Sequence, residues 1–161
     1  MNANKLFLLL GSFIIGVIAG LRSLTAPAVV SWGAHLGWID LRGSHLAFLG
    51  SKTAVVVLSL AALAELVADK LPFTPNRTSL MPLAFRIVSG AVCGAAVCIS
   101  AQHFVIFGAL LGAVGAIAGA FSGYRIRHRL VTNRGLPDFA VAVAEDAIAV
   151  GGAFLLISHL Y

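Results

Sequence analysis

The chain carries six acidic residues and eleven lysines and arginines among 161 positions, 60% of which are hydrophobic. The charges worth weighing for chemistry are those set inside apolar stretches. An ionised side chain at membrane depth costs several kcal/mol unless it is paired, protonated or in contact with water. Glu65 has Asp69 one turn on and Ala61 and Ala62 one turn back, so its helix face is small and polar and suits a protein interior better than lipid. Asp138, Ala142, Glu145, Ala149 and Gly152 make a similar stripe, with Asp146 next to Glu145. Arg22, Lys70 and Arg86 are the cations at hand, and Arg86 is followed on one face by Ser89, Gly90 and Cys93, which leaves room for a carboxylate or an anion. Arg22, Glu65, Asp69, Arg86, Glu145 and Asp146 are therefore the candidate ion- or solute-binding residues. The competing reading makes Arg86 a juxtamembrane arginine, lets Arg22 snorkel to the outer interface, and closes Glu65 and Glu145 into structural ion pairs.

Other chemistries find little support. His35, His45, His103, His128 and His159 form no pair at metal-ligand spacing, and neither a glycine-rich phosphate loop nor a nucleophile motif is present. No catalytic residue, metal or cofactor is expected, and the reading is not that of an enzyme. Cys93 and Cys98, five apart in an apolar run, read as small hydrophobes. A net charge of +5 belongs here to membrane topology and not to a nucleic-acid partner.

The elements that must position these charges follow from hydropathy. Mean hydropathy is +0.99, and only 11% of residues are charged, which points to a bilayer as solvent. The expected fold is an all-α integral membrane protein of about five transmembrane helices plus a short interfacial or re-entrant helix. A helix from Lys5 to Asp40 would be longer than a hydrocarbon core of about 30 Å, so a break is placed at Arg22 to Pro27. The spans run about 6–21, 53–71, 82–101, 104–124 and 137–159 in one domain, with the short helix at 27–39 carrying Trp32 and Trp38. Residues 1–23 loosely imitate a secretory signal, but the weakly basic start and a later matching segment argue against cleavage.

Basic residues set the orientation. Lys5, Lys70, Arg77, Arg86, Arg125, Arg127, Arg129 and Arg134 fall on one side and Arg42 and Lys52 on the other, which predicts a cytoplasmic N-terminus in a bacterial inner membrane. A weak internal repeat matches Gly16 to Gly20 with Gly115 to Gly119, and Ala64-Glu65 with Ala144-Glu145. Five alternating spans would make it an inverted repeat of the kind many transporters use. Small residues form stripes for close helix packing at Gly16 and Gly20, at Gly90 and Gly94, and at Gly108, Gly112, Gly115, Gly119 and Gly123.

Ala19 to Thr25, Glu65 to Pro72 with Pro75, Asn76 and Arg77, and Arg86 to Gly90 together resemble the bacterial membrane family labelled domain of unknown function 4126. The resemblance implies a small inner-membrane protein and supplies no reaction, substrate or catalytic residue. From the charges, the expected function is a transporter or channel subunit for a small polar or anionic solute, coupled to protons. Glu65 and Glu145 would titrate, and Arg86 or Arg22 would partner the anion. The alternative is a non-transporting scaffold or assembly protein that binds another membrane protein through its glycine faces. Apart from the lipid bilayer and that solute, the expected partner is a second copy, because so few spans enclose only a narrow cavity.

Overall fold

The computed structural model describes residues 3–69, 79–101 and 104–160. Its elements are α1 (Ala3–Leu21), α2 (Thr25–His35), a 3-10 turn at Ala47–Gly50, α3 (Lys52–Ala68), α4 (Leu80–Ser100), α5 (Val105–His128), a π-helical turn at Arg129–Asn133 and α6 (Asp138–Ser158). Among the described residues three stretches are long and apolar enough to cross a membrane, Leu80–Ser100, Val105–Asn133 and Asp138–Ser158, and Lys5–Leu21 is a shorter apolar helix. The five expected spans each overlap a helix. Gln102 and His103, between the third and fourth expected spans, and Lys70, Pro72, Pro75, Asn76 and Arg77 lie outside the described residues.

Local chemistry accounts for several boundaries. The Ser51 hydroxyl caps α3 by accepting the Ala54 N–H at 3.1 Å. Pro82 stands in the first turn of α4, where no N–H is needed, and Pro137 precedes α6 with Asp138 at its positive dipole end. The helix break falls at Arg22 to Leu24, and Pro27 sits inside the first turn of α2 instead of causing the break. The short helix is Thr25–His35 in place of 27–39. Thr25, Ala26, Ala28, Val29, Val30, Ser31 and Gly33 of this helix are buried against the rest of the chain.

Side-chain contacts fix the direction of each helix. At one end of the bundle the Lys5 ammonium lies over the Phe104 ring, while Gly11 faces Leu160, Gly33 faces Ile157 and Gly50 faces Ala34. At the other end Arg86 meets the last turn of α1, Glu65 meets Ser23, and Arg127 meets Asp138. The six α-helices of the described residues therefore alternate in direction, and α2 turns back along α1. This corrects the orientation drawn from sequence: Lys5 shares an end with Arg42 and Lys52, and Arg22 shares the opposite end with Arg86 and the arginines from Arg125 to Arg134. A kink at the break would keep Arg42 on the far side from Lys5, whereas a hairpin returns it.

α1, α4 and α5 pack on one another, with the glycine face of α5 laid against α1 and α4 and its opposite apolar face exposed. A Cβ on Gly16 would overlap the Gly112 carbonyl, one on Gly119 the Val17 carbonyl, and one on Gly94 the Gly108 carbonyl. Gly20, Gly90, Gly108, Gly112 and Gly115 are equally close to a neighbouring backbone. The Ser12 hydroxyl adds a polar tie, reaching the Gly94 carbonyl at 3.1 Å. Along this seam Gly16 meets Gly112 and Gly20 meets Ala116, so α1 and α5 run parallel. The matched glycine segments are thus parallel packing partners, while α3 and α6, which carry the other match, run in opposite directions, so no single inversion relates both pairs. Gly123 is buried, but it lines a cavity between α5 and α6.

Candidate functional site

The break between α1 and α2 leaves two helix ends inside the protein, each with unpaired backbone groups of one sign. Two buried side chains of opposite charge answer them. Arg86 Nη1 donates to the carbonyl oxygens of Gly20 and Leu21, both at 2.7 Å, and so caps the negative end of α1. Glu65 caps the positive end leading into α2. Its Oε1 accepts the Ser23 N–H at 2.8 Å and the Ser23 hydroxyl at 2.5 Å, and its Oε2 accepts the Leu24 N–H at 2.8 Å. The Ser89 hydroxyl donates to the Ser23 carbonyl at 2.5 Å. Arg86 Nη2 stands 3.8 Å from Glu65 Oε1, which joins the two caps into one unit.

Arg22 lies in the break itself, and its side chain is fully buried. Its guanidinium forms ion pairs with Asp69 at the end of α3 and with Asp146 on α6, whose side chains are only 10% and 13% exposed. Arg22 therefore does not snorkel; two carboxylates hold it inside. Arg86, at 4% exposure, is likewise an interior residue. Together Arg22, Glu65, Asp69, Arg86 and Asp146 form a single network drawn from the break, α3, α4 and α6.

The sixth candidate is Glu145, on α6 next to Asp146. It lines a cavity of about 380 Å³ between α5 and α6, whose other lining residues are apolar except for Arg127. Arg127 in turn holds Asp138 in a two-point pair at 2.7 and 2.8 Å. That pair was not anticipated from sequence, since the arginines from Arg125 to Arg129 read there as a topogenic cluster. Ser89 and Ser23 were legible only as small residues near a charge and near the break. Among the described residues no group of three His, Cys, Asp or Glu side chains is placed to hold a metal ion. Arg22 Nε and Thr25 Oγ1 are buried polar atoms without a hydrogen-bond partner among the described residues.

At the other end of the bundle a more polar cavity of about 370 Å³ is lined by His35, Asp40 and Arg42 among others. Asp40 and Arg42 pair at 2.9 Å in the exposed loop, and the Arg42 guanidinium lowers the Asp40 pKa from 3.8 to about 2.

Long apolar helices that bury a charge network around a helix break make this a helical membrane protein. The chain belongs to the family described as Domain of unknown function (DUF4126), whose model matches residues 9–159. Neither the comparison with curated proteins nor that with solved structures gives a match.

Proposed function

We propose that this protein is a membrane transport subunit that handles a proton or small cation at the break between α1 and α2. The carrying observation is the gathering of ionisable side chains there: Glu65, Asp69 and Asp146 meet Arg22 and Arg86 around two buried helix ends. Carboxylates gathered at such depth are groups that can exchange a proton or accompany a small cation. Broken helices whose ends meet charged groups are the device by which transporters build ion sites at membrane depth. The unpartnered Arg22 Nε and Thr25 Oγ1 suit a hydrated break. An anionic solute is the weaker substrate class, because Arg86 is engaged by two carbonyls and Glu65, and Arg22 by two carboxylates.

In this reading α1 and α3 to α6 cross the bilayer. The 11-residue α2, roughly 16 Å long at 1.5 Å per residue, is a short return within it. The positive-inside rule places the end bearing Arg125, Arg127, Arg129 and Arg134 in the cytoplasm of a bacterial inner membrane, with the start of α1 and the end of α6 outside. The pathway forms between copies, through a face other than the glycine stripes, since Gly16, Gly20, Gly90, Gly94, Gly108, Gly112, Gly115 and Gly119 meet helices of their own chain. A scaffold acting through those glycines would lack a free surface.

The test is proton flux into proteoliposomes under an imposed pH gradient, read with an internal pH dye. Wild type should acidify the lumen, and Asp146→Asn should lower the rate at least tenfold while still eluting as a monodisperse species. Leakage equal to that of empty liposomes, or undiminished flux in Asp146→Asn, would remove the proposal.

A further inference from the structure

The two halves of α6 are held by different means. Ala142, Asp146, Ala149, Ala153, Ile157 and the Leu160 that follows the helix recur every three or four residues and form the face turned to the bundle. In the half after Gly152, large side chains anchor that face. Ile157 fills the space left by Gly33 of α2, Leu160 lies over Gly11 of α1, and the Phe154 ring meets the Trp38 ring edge-on with centroids 6.2 Å apart. In the half before Gly151 the same face carries only the methyl groups of Ala142 and Ala149 beside its carboxylate. That half is tied by charge, with Asp146 on Arg22 and Asp138 on Arg127 at its tip.

Gly151 and Gly152 stand between the halves. Glycine inside a helix lowers its stability and is a common place for it to bend. A Cβ at Gly151 would meet nothing within 4 Å, and one at Gly152 only Ile18 Cδ1 at 3.9 Å. Close packing therefore explains neither, unlike the glycines where α1, α4 and α5 meet, and bending is the property they supply. There is also room to bend into. The groove of about 380 Å³ separates the charge-tied half of α6 from α5, with Ala140, Ala144 and Ile148 on one wall and Gly123, Ile126 and Leu130 on the other. Turning that half toward α5 presses the walls together and keeps the pair at the tip, because Arg127 belongs to α5.

We infer that residues 138–150 of α6 are an arm that swings on Gly151 and Gly152 between two positions. In one, Asp146 latches it to Arg22 and the groove is open; in the other, the arm lies against α5 and Asp146 has left Arg22. From Gly151 to Val143 the arm is about 12 Å long, so a bend of roughly 20° moves Val143 by about 4 Å and Asp146 by somewhat less, enough to part an ion pair. The charged groups about the arm are Arg22 with Asp69 at the latch, Glu145 in the groove wall, and Arg127 with Asp138 at the tip. Its use in transport rests on the function proposed above, in which a proton taken up by Asp146 weakens the latch and frees the arm. The hinge itself follows from the packing and stands without that function.

The test is double electron–electron resonance on the full chain in nanodiscs, with nitroxides at exposed positions outside the groove. Met81→Cys with Val143→Cys reads the arm against α4, and Ile106→Cys with Leu155→Cys reads the other half of α6 against α5. The native Cys93 and Cys98 are buried. With Asp146 intact the first pair should give one distance. Asp146→Asn should add a second population displaced by about 4 Å and leave the second pair unchanged, and Gly151→Ala with Gly152→Ala should remove that population. An unshifted first pair in Asp146→Asn, a shift shared by both pairs, or a second population that survives the two alanines would overturn the inference. A second measurement keeps Asp146: disulfide closure across the groove between Ile126→Cys and Ala144→Cys should slow at least fivefold when both glycines are alanine, and an unchanged rate would count equally against the hinge. Neither readout involves proton flux, so a failure of the liposome assay leaves the hinge intact, and a failure here leaves that assay to be judged alone.

Discussion

Glu65 offers the sharpest test of how the helix break is held. Glu65→Gln keeps the size and shape of the side chain and removes its charge. The carboxylate accepts three hydrogen bonds, from the Ser23 N–H, the Ser23 hydroxyl and the Leu24 N–H. A bond to an ionised acceptor contributes about 1.5–3 kcal/mol against about 0.5–1.5 for a neutral one, so each loses roughly 1 kcal/mol. The Glu65 side chain is only 10% exposed, so water screens little of this, and the sum is about 3 kcal/mol. One amide face also presents N–H to a backbone N–H, which leaves a donor unanswered. Ser23→Ala removes a single bond and should cost about 1 kcal/mol. The assay is reversible unfolding in mixed micelles titrated with dodecyl sulfate, followed by the helical circular dichroism signal. A Glu65→Gln protein within about 0.5 kcal/mol of wild type, or no less stable than Ser23→Ala, would show that the carboxylate does not hold the break as argued.

Five further outcomes follow from the same geometry. Arg22→Met should cost about 3–5 kcal/mol in the same titration by stranding Asp69 and Asp146, and adding Asp69→Asn and Asp146→Asn should recover most of it. Gly119→Ala, whose Cβ would strike the Val17 carbonyl, should destabilise by about 1–3 kcal/mol. Gly151→Ala, with open space around it, should gain up to about 1 kcal/mol from helix propensity. Because Arg42 lowers the Asp40 pKa to about 2, the pair's contribution is present above the ordinary value of 3.8 and lost as pH falls through 2; carboxyl NMR titration of Arg42→Gln should find Asp40 back near 3.8. Impermeant maleimide applied to one face of the membrane should label Lys5→Cys and Arg42→Cys together and spare Arg129→Cys. The buried native Cys93 and Cys98 should stay unreacted throughout.

Much of the helical pattern was readable because apolar length, proline position and glycine spacing are local properties. The glycine stripe of α5 announced a close-packed face, and the alanines beside Glu65 announced a carboxylate turned away from lipid. What the stripe packs against could not be read in the same way. Gly16 and Gly115 look like copies of one motif in sequence, and in space they belong to parallel helices pressed together. Direction was harder still. Arg22 to Pro27 was marked as a break, but a kink and a hairpin need the same breaker residues. The choice is made by Glu65, 42 positions beyond Ser23, and by Arg86, 66 positions beyond Gly20. The one wrong turn then reversed the side assigned to Lys5. Asp146 was named beside Glu145 with nothing local to rank them; only the approach of α6 to Arg22 separates the network member from the residue in the groove wall.

The caps on the break also set an order of events during synthesis. Neither Ser23 nor Gly20 can find its partner until α3 and α4 have been made, because Glu65 and Arg86 come from those later helices. Until α3 and α6 have been made, Arg22 has neither Asp69 nor Asp146 to neutralise it. The hairpin is therefore sealed from behind: the emerging chain supplies the two clasps, and the final helix, α6, brings the last counter-charge that lets the first one settle.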